Sequence, residues 1–177
     1  LLLYPDYEST YYHLGYSYLM INDENRAKES LNRVILNNST NGEAHYLLGT
    51  IYENILNEDK AIESYKKAIK YSSNNLEARK QLGMIFYNQE EYRNAMEHLR
   101  EYIIYNPDST NILNTLGDIF IKEQRYKEVI DTYNKLLIID IPYDEHPKNS
   151  SGNITDINGL IIEKKEIIYP EKIYRYH

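Results

Sequence analysis

Cysteine is missing from all 177 residues, which excludes disulfides, zinc–thiolate centres and cysteine nucleophiles. Positive charge is scarce. Against 27 Asp and Glu stand only 20 Lys and Arg, a net −7 that argues against a phosphate-tracking, nucleic-acid-binding surface. Long apolar runs are missing as well, and a stretch such as Leu136–Ile139 is far too short to span a bilayer. The first residues hold no basic segment followed by an apolar stretch and a small-residue cleavage site, although a leader removed before Leu1 would leave no trace.

Catalytic signatures are absent too. There is no glycine-rich phosphate loop, no G-x-S-x-G elbow and no Asp-rich calcium loop. The histidines His13, His45, His98, His146 and His177 show no paired spacing with carboxylates that would hold a metal on a helix. His45 falls in an apolar column and reads as a packed core residue. Glu90-Glu91 reads as solvated charge at a turn. Asn37, Asn38, Asn149 and Asn153 each begin an N-x-S/T triplet, which matters only in a secreted eukaryotic protein. The expectation is a protein with no catalytic, cofactor-binding or metal-ligating residues.

What is present is ordinary globular composition: 42% hydrophobic and 27% charged, enough for one domain or a piece of a larger one. Tyrosine is the exception, at 20 residues. Together with abundant Asn, Ile and Lys it fits a bias toward AT-rich codons.

The chain repeats itself. Leu14-Gly15, Leu48-Gly49, Leu82-Gly83 and Leu116-Gly117 stand 34 residues apart. Three residues after each glycine comes an aromatic (Tyr18, Tyr52, Phe86, Phe120), and twelve after comes Ala27, Ala61, Ala95 or Val129. Sixteen after come Leu31, Tyr65, Leu99 and Tyr133. Within the second copy, His45, Leu48 and Tyr52 form one helical stripe, and Ala61, Tyr65 and Ala68 form another. The polar segment between them offers Asn57 as an N-cap. Each copy therefore reads as a helical hairpin. A glycine mid-helix costs about 1 kcal/mol relative to alanine. Its recurrence in register points to close approach of the two helices, here expected against the alanine column.

The columns Tyr11, Leu14-Gly15, Tyr18, Ala27 and Leu31, with their three successors, resemble the tetratricopeptide repeat family over roughly residues 1–141. The departures are Val129 in the alanine column, and Tyr102 and Leu136 where Val34 and Ala68 are smaller. The repeat-closing proline is present only at Pro107, with Ser39, Ser73 and Ile141 elsewhere. The resemblance implies an all-α fold, a right-handed superhelical solenoid of antiparallel helix pairs. In such a fold the first helices line the concave side and each repeat touches chiefly its neighbours. The organisation expected is 1–7 as the end of a truncated preceding repeat, then repeats at 8–41, 42–75, 76–109 and 110–141. Residues 142–177 follow as a linker and C-terminal capping helix.

Both ends fit that scheme. "LLLYPDY" has the shape of "EYIIYNPDS", and Pro5 lies three periods before Pro107, so the chain reads as a fragment cut inside a longer array. In the tail, "PYDEHPKNSSGN" is a linker. Ile157, Leu160, Ile161 and Ile168 fit a short capping helix, with a hairpin around Asn158-Gly159 as the alternative.

If Leu14 and Tyr18 face the partner helix, Tyr12, Tyr16 and Met20 lie on the opposite stripe. The matching positions are Tyr46, Thr50 and Asn54, then Lys80, Met84 and Tyr87, then Asn114, Asp118 and Ile121. Such a face is aromatic and polar, with Lys80 and Asp118 cancelling. Co-chaperones of this family that grip an acidic C-terminal peptide use lysines, an arginine and asparagines at inner sites. Here those sites hold Tyr12, Tyr16, Leu47, Glu77 and Gln81. The asparagine ladder of the sugar-transferring relatives is replaced by His13, Leu47, Gln81 and Thr115. The resemblance thus implies a non-catalytic scaffold that holds an extended peptide or a helix of a protein partner in its groove, with no nucleic acid and no membrane insertion. The alternative is a regulatory or substrate-recruiting arm of a larger enzyme. A third reading is self-association through exposed solenoid ends.

Overall fold

Every 34-residue period folds as two antiparallel helices. The structure, a computed structural model, describes residues 6–140; the expected repeat stub before Asp6 and the expected linker and capping helix lie outside the described residues. In order come α1 (Asp6–Met20), α2 (Glu24–Asn37), α3 (Gly42–Asn54), α4 (Glu58–Tyr71), α5 (Leu76–Asn88), α6 (Tyr92–Tyr105), α7 (Thr110–Lys122) and α8 (Tyr126–Asp140). Among the described residues there is no strand.

Two compact units divide the chain. The first runs to Tyr102 and holds α1 to α5 and most of α6; the second begins at Ile103 and holds the end of α6, α7 and α8. In the first, α2 packs between α1 and α3, and α4 between α3 and α5. In the second, α7 packs on α8.

Short polar side chains start the helices. Asp23, Asn41, Asn57 and Asn75 each accept a hydrogen bond from the backbone N–H three residues on, at 3.2, 2.9, 3.3 and 2.9 Å. Asn57 is the cap expected from its sequence. Ser109 makes no such bond; its hydroxyl donates to Asn111 Oδ1 instead.

The turn inside each hairpin is also periodic. Asn22, Leu56, Glu90 and Gln124, one per copy, sit at φ of 57°, 57°, 61° and 57°. This left-handed conformation lets the chain reverse within three residues, as with Ile21 N–H donating to Tyr18 O and Asp23 N–H to the same oxygen. Asn22 is suited to it by its short polar side chain, whereas Leu56, Glu90 and Gln124 carry the ordinary left-handed cost, and Leu56 does so with its side chain 89% exposed.

The glycine column does mark close approach, chiefly to the residue sixteen positions on, while the alanine column enters through Ala27 O, 3.4 Å from a Cβ on Gly15. A Cβ on Gly49 would lie 2.5 Å from the Tyr65 ring, one on Gly15 or Gly83 would lie 2.7 Å from Leu31 or Leu99, and one on Gly117 would lie 3.0 Å from Tyr133. The partner is therefore the large residue sixteen positions on. Its bulk reaches across the hairpin, while Ala27, Ala61 and Ala95 are fully buried and leave room for it. Tyr65 is wholly buried in this role, its hydroxyl donating to Glu53 Oε2 at 2.7 Å. Burial drives its phenol far above the ordinary range.

The leucine column shows how neighbours complete the core. Leu48, Leu82 and Leu116 are buried, yet Leu14 is 39% exposed. Leu48 shares a cluster with Leu31 and Val34 of α2, and among the described residues no helix covers the corresponding side of α1.

Candidate protein-binding face

The first helices carry the candidate residues. On α1, Tyr16 and Met20 are 45% and 59% exposed, four residues apart on one stripe. Tyr12 is half-buried and packs on the cluster formed by Leu19, Leu31, Val34 and Leu47. On α3, Tyr46 is half-buried too, its ring 6.0 Å from that of Tyr65. Thr50 donates to Tyr46 O at 3.3 Å, and its hydroxyl oxygen lies 3.5 Å from that of Tyr65. Tyr12, Tyr46 and Thr50 thus serve packing as well as any partner.

Electrostatics ties these residues into one neighbourhood of the first unit. Burial raises the Tyr12 phenol above its ordinary value, and the charges of Glu43, Tyr16 and Tyr46 act in the same sense. Tyr46 is likewise raised by burial and by Glu77, against the opposing effects of Thr50 and Lys80. Lys80 does not stand as an open positive charge, because its ammonium is bound by Glu77 one turn back and lies 5.5 Å from the Tyr102 ring. Burial works to lower the Lys80 pKa, but Glu77 and the Tyr102 and Tyr46 phenols hold it above the ordinary value. The carboxylate that binds Lys80 is therefore Glu77.

Met84 is half-buried on α5, and the ring of Tyr87 lies 6.3 Å from that of Tyr92. Asn114 is exposed and Asp118 half-buried on α7 in the second unit. Leu47, taken as an inner-face position from the sequence, is 5% exposed and belongs to the hydrophobic cluster.

Sequence reading missed a set of carboxylate–asparagine links between consecutive first helices. Glu8 Oε1 accepts from Asn41 Nδ2 at 2.7 Å and from Asn38 Nδ2 at 3.0 Å, and Glu43 Oε1 accepts from Asn75 Nδ2 at 3.1 Å. Asn41 and Asn75 also cap α3 and α5, so each closes a helix and ties it to the first helix of the preceding copy. Their 34-residue spacing was a signal, but the partner carboxylates are 35 residues apart and fall out of register. Glu8, Ser9, Tyr12, Asn41 and Glu43 line a cleft of about 400 Å³ beside the tyrosines. Among the described residues, no group of three or more His, Asp or Glu side chains could hold a metal ion. No helix there is long and apolar enough to cross a membrane.

Comparison with known proteins follows the same lines. A tetratricopeptide repeat model matches residues 9–40. The family model for subunit 3 of the anaphase-promoting complex, or cyclosome, matches residues 54–136. No curated protein matches the chain. Among solved structures, one of MamA is 25% identical with a TM-score of 0.68, over 77% of this chain and 80% of that one. Pseudomonas aeruginosa pilF is 22% identical with a TM-score of 0.62, over 76% of this chain and 62% of that one. YrrB, described as a TPR protein with an unusual peptide-binding site, is 20% identical with a TM-score of 0.62, over 77% and 71%. With its 34-residue period, its all-helical hairpins and these likenesses, the chain carries tetratricopeptide repeats and has the fold of a tetratricopeptide repeat protein.

Proposed function

We propose that the chain is a non-catalytic scaffold whose first unit holds an extended peptide, or one helix, of a protein partner against the stripe Tyr12, Tyr16, Met20, Tyr46, Thr50, Lys80, Met84 and Tyr87. Asn114 and Asp118 hold the same register on α7 and belong to the second unit's own surface. A tetratricopeptide fold suits a protein–protein interaction scaffold, and the YrrB likeness adds a peptide-binding precedent within the fold.

The observation that carries this reading is the exposure of Tyr16 and Met20 on the helix face they share with Tyr12, which, like Tyr46 on α3, is partly buried against the hydrophobic cluster. Tyrosine offers a large amphipathic contact with few rotamers to freeze, and a hydroxyl for a peptide backbone. A partner that covers Tyr16 and Met20 gains apolar burial, while Tyr12 and Tyr46 have less freedom left to lose.

A peptide-array screen against the protein, followed by titration of the best ligand with the Tyr16→Ala/Met20→Ala variant, tests it. Both side chains are exposed, so the variant keeps native helicity. Its affinity falls roughly tenfold or more, as expected for truncating anchoring contacts. Undiminished binding by the folded variant would move the site off this face.

A further inference from the structure

The hairpin turns of the first two copies carry aliphatic side chains where the other described turns carry polar ones. The two positions after each first helix read Ile21-Asn22, Ile55-Leu56, Gln89-Glu90 and Glu123-Gln124. Ile21 is 69% exposed, Ile55 46% and Leu56 89%. Leu56 also stands at φ 57°, so the chain carries the left-handed cost at that residue and gains no burial from it. Single exposed aliphatics are ordinary on a surface, whereas a group of neighbouring ones marks an interaction site.

These three residues are neighbours. Because α2 packs antiparallel between α1 and α3, the two first helices run parallel and end at the same edge of the first unit, and they touch each other directly. Packed helices lie about 8–10 Å apart, which sets the separation of the two turns. The charge around them is one-sided. Residues 20–26 and 54–60 hold four carboxylates, Asp23, Glu24, Glu58 and Asp59, against the cations Arg26 and Lys60. Both cations are already engaged. Arg26 lies 3.5 Å from Asp23 and 5.8 Å from the Tyr18 ring, and Lys60 lies 5.5 Å from the Tyr52 ring. Glu58 and Asp59 sit in the first turn of α4, where the helix dipole favours them, and both are exposed. An anionic membrane surface is therefore disfavoured here, and a basic partner is favoured.

We propose that Ile21, Ile55 and Leu56 form a docking ledge for a basic amphipathic helix of a protein partner. At about 1.5 Å per residue, apolar side chains seven apart on such a helix lie about 10 Å apart and reach both turns. Lysines or arginines beside them meet Glu58 and Asp59. The ledge adjoins the stripe at Met20 but does not depend on it, since its three residues lie in the turns and the acidic rim selects its partner.

The test is a titration followed by ¹H–¹⁵N spectra of the labelled protein. The probe is a leucine–lysine peptide of about 18 residues with its leucines on one helical face. Its leucine–glutamate analogue, a leucine–lysine peptide of scrambled order and phosphatidylglycerol vesicles are run beside it. The basic amphipathic peptide shifts the Ile21, Ile55 and Leu56 amides saturably, and the other two peptides bind about tenfold more weakly or worse. Ile21→Gln/Ile55→Gln/Leu56→Gln leaves the net charge unchanged and installs the residue found at Gln89 and Gln124, so the variant folds, as circular dichroism verifies. It loses affinity by roughly tenfold or more, the scale of removed anchoring contacts. The ledge is overturned if the scrambled or acidic peptide binds as tightly, if the vesicles shift these amides and the peptide does not, or if the triple variant binds as the wild type does. Shifts confined to Tyr16 and Met20 would overturn it while leaving the stripe in place.

Discussion

Gly49 and Gly117 occupy the same column but meet different neighbours. The Tyr65 ring over Gly49 is fully buried and tethered through its hydroxyl to Glu53. Tyr133 over Gly117 is 37% exposed, and the atoms nearest the new Cβ include its hydroxyl oxygen, at 3.1 Å. Gly49→Ala therefore forces a locked ring aside and costs about 1–3 kcal/mol, beyond the helix-propensity gain of alanine. Gly117→Ala displaces a ring that can swing into solvent, and its effect stays within about 1 kcal/mol of zero. Urea melts monitored by helical circular dichroism compare the two. Equal midpoints would mean that Tyr65 is not the constraint.

His98 gives a second prediction at this scale. Burial holds its folded pKa below the unfolded value of about 6.5, so the unfolded chain binds the proton more readily. The stability His98 confers by staying neutral is present above that value and is lost as the pH falls through the folded pKa. Stability measured between about pH 7 and pH 5 should decline with a steeper slope in the wild type than in His98→Ser. Identical slopes would place the imidazole in solvent.

At the scale of the element, caps and turns decide how well each hairpin is specified. Asn75 is buried, caps α5 through Ala78 N–H and donates to Glu43 of the preceding first helix, so it serves two helices at once. Asn57 caps α4 by a single bond of 3.3 Å to Lys60 N–H. Asn75→Ala is expected to cost about 2 kcal/mol and Asn57→Ala about 1 kcal/mol or less, measured in the same melts. Leu56 is the opposite case: a bulky residue held at φ 57° with its side chain in water, so nothing in the fold rewards it. Leu56→Gly relieves the left-handed strain and stabilises by roughly 0.5–1 kcal/mol. A loss of stability in that variant would show that the leucine makes a contact worth more than the strain.

Across the whole molecule, a net charge of −7 sets what the surface attracts. The groove stripe adds no open cation, since Lys80 is bound by Glu77. Anisotropy of a labelled duplex of about 20 base pairs, in about 0.15 M salt, should show no binding at roughly 10 µM protein, because phosphate tracking needs released counterions and a basic face. Salt-sensitive binding under these conditions would count against a protein partner as the ligand class.

The repeat, the hairpin and the helix caps were legible in the residues because they are local. A 34-residue period, a 3.6-residue stripe and an Asn three residues before an N–H all lie within one or two turns of chain. The exposure of Tyr16 and Met20 agrees with the helical stripe read from the sequence, although Leu14, placed there on the inward face, is itself 39% exposed. What packs on what was not legible. Whether Gly49 meets Ala61 or Tyr65 depends on how far a side chain reaches across the hairpin. Whether Lys80 stays open depends on which carboxylate stands one turn away in its rotamer. The links from Glu8 to Asn41 and from Glu43 to Asn75, and the burial of Leu47, all join residues from different helices. Periodicity places each residue on a face, but only the tertiary structure fixes the distance between faces, and hydrogen bonds, van der Waals contact and desolvation all depend on that distance.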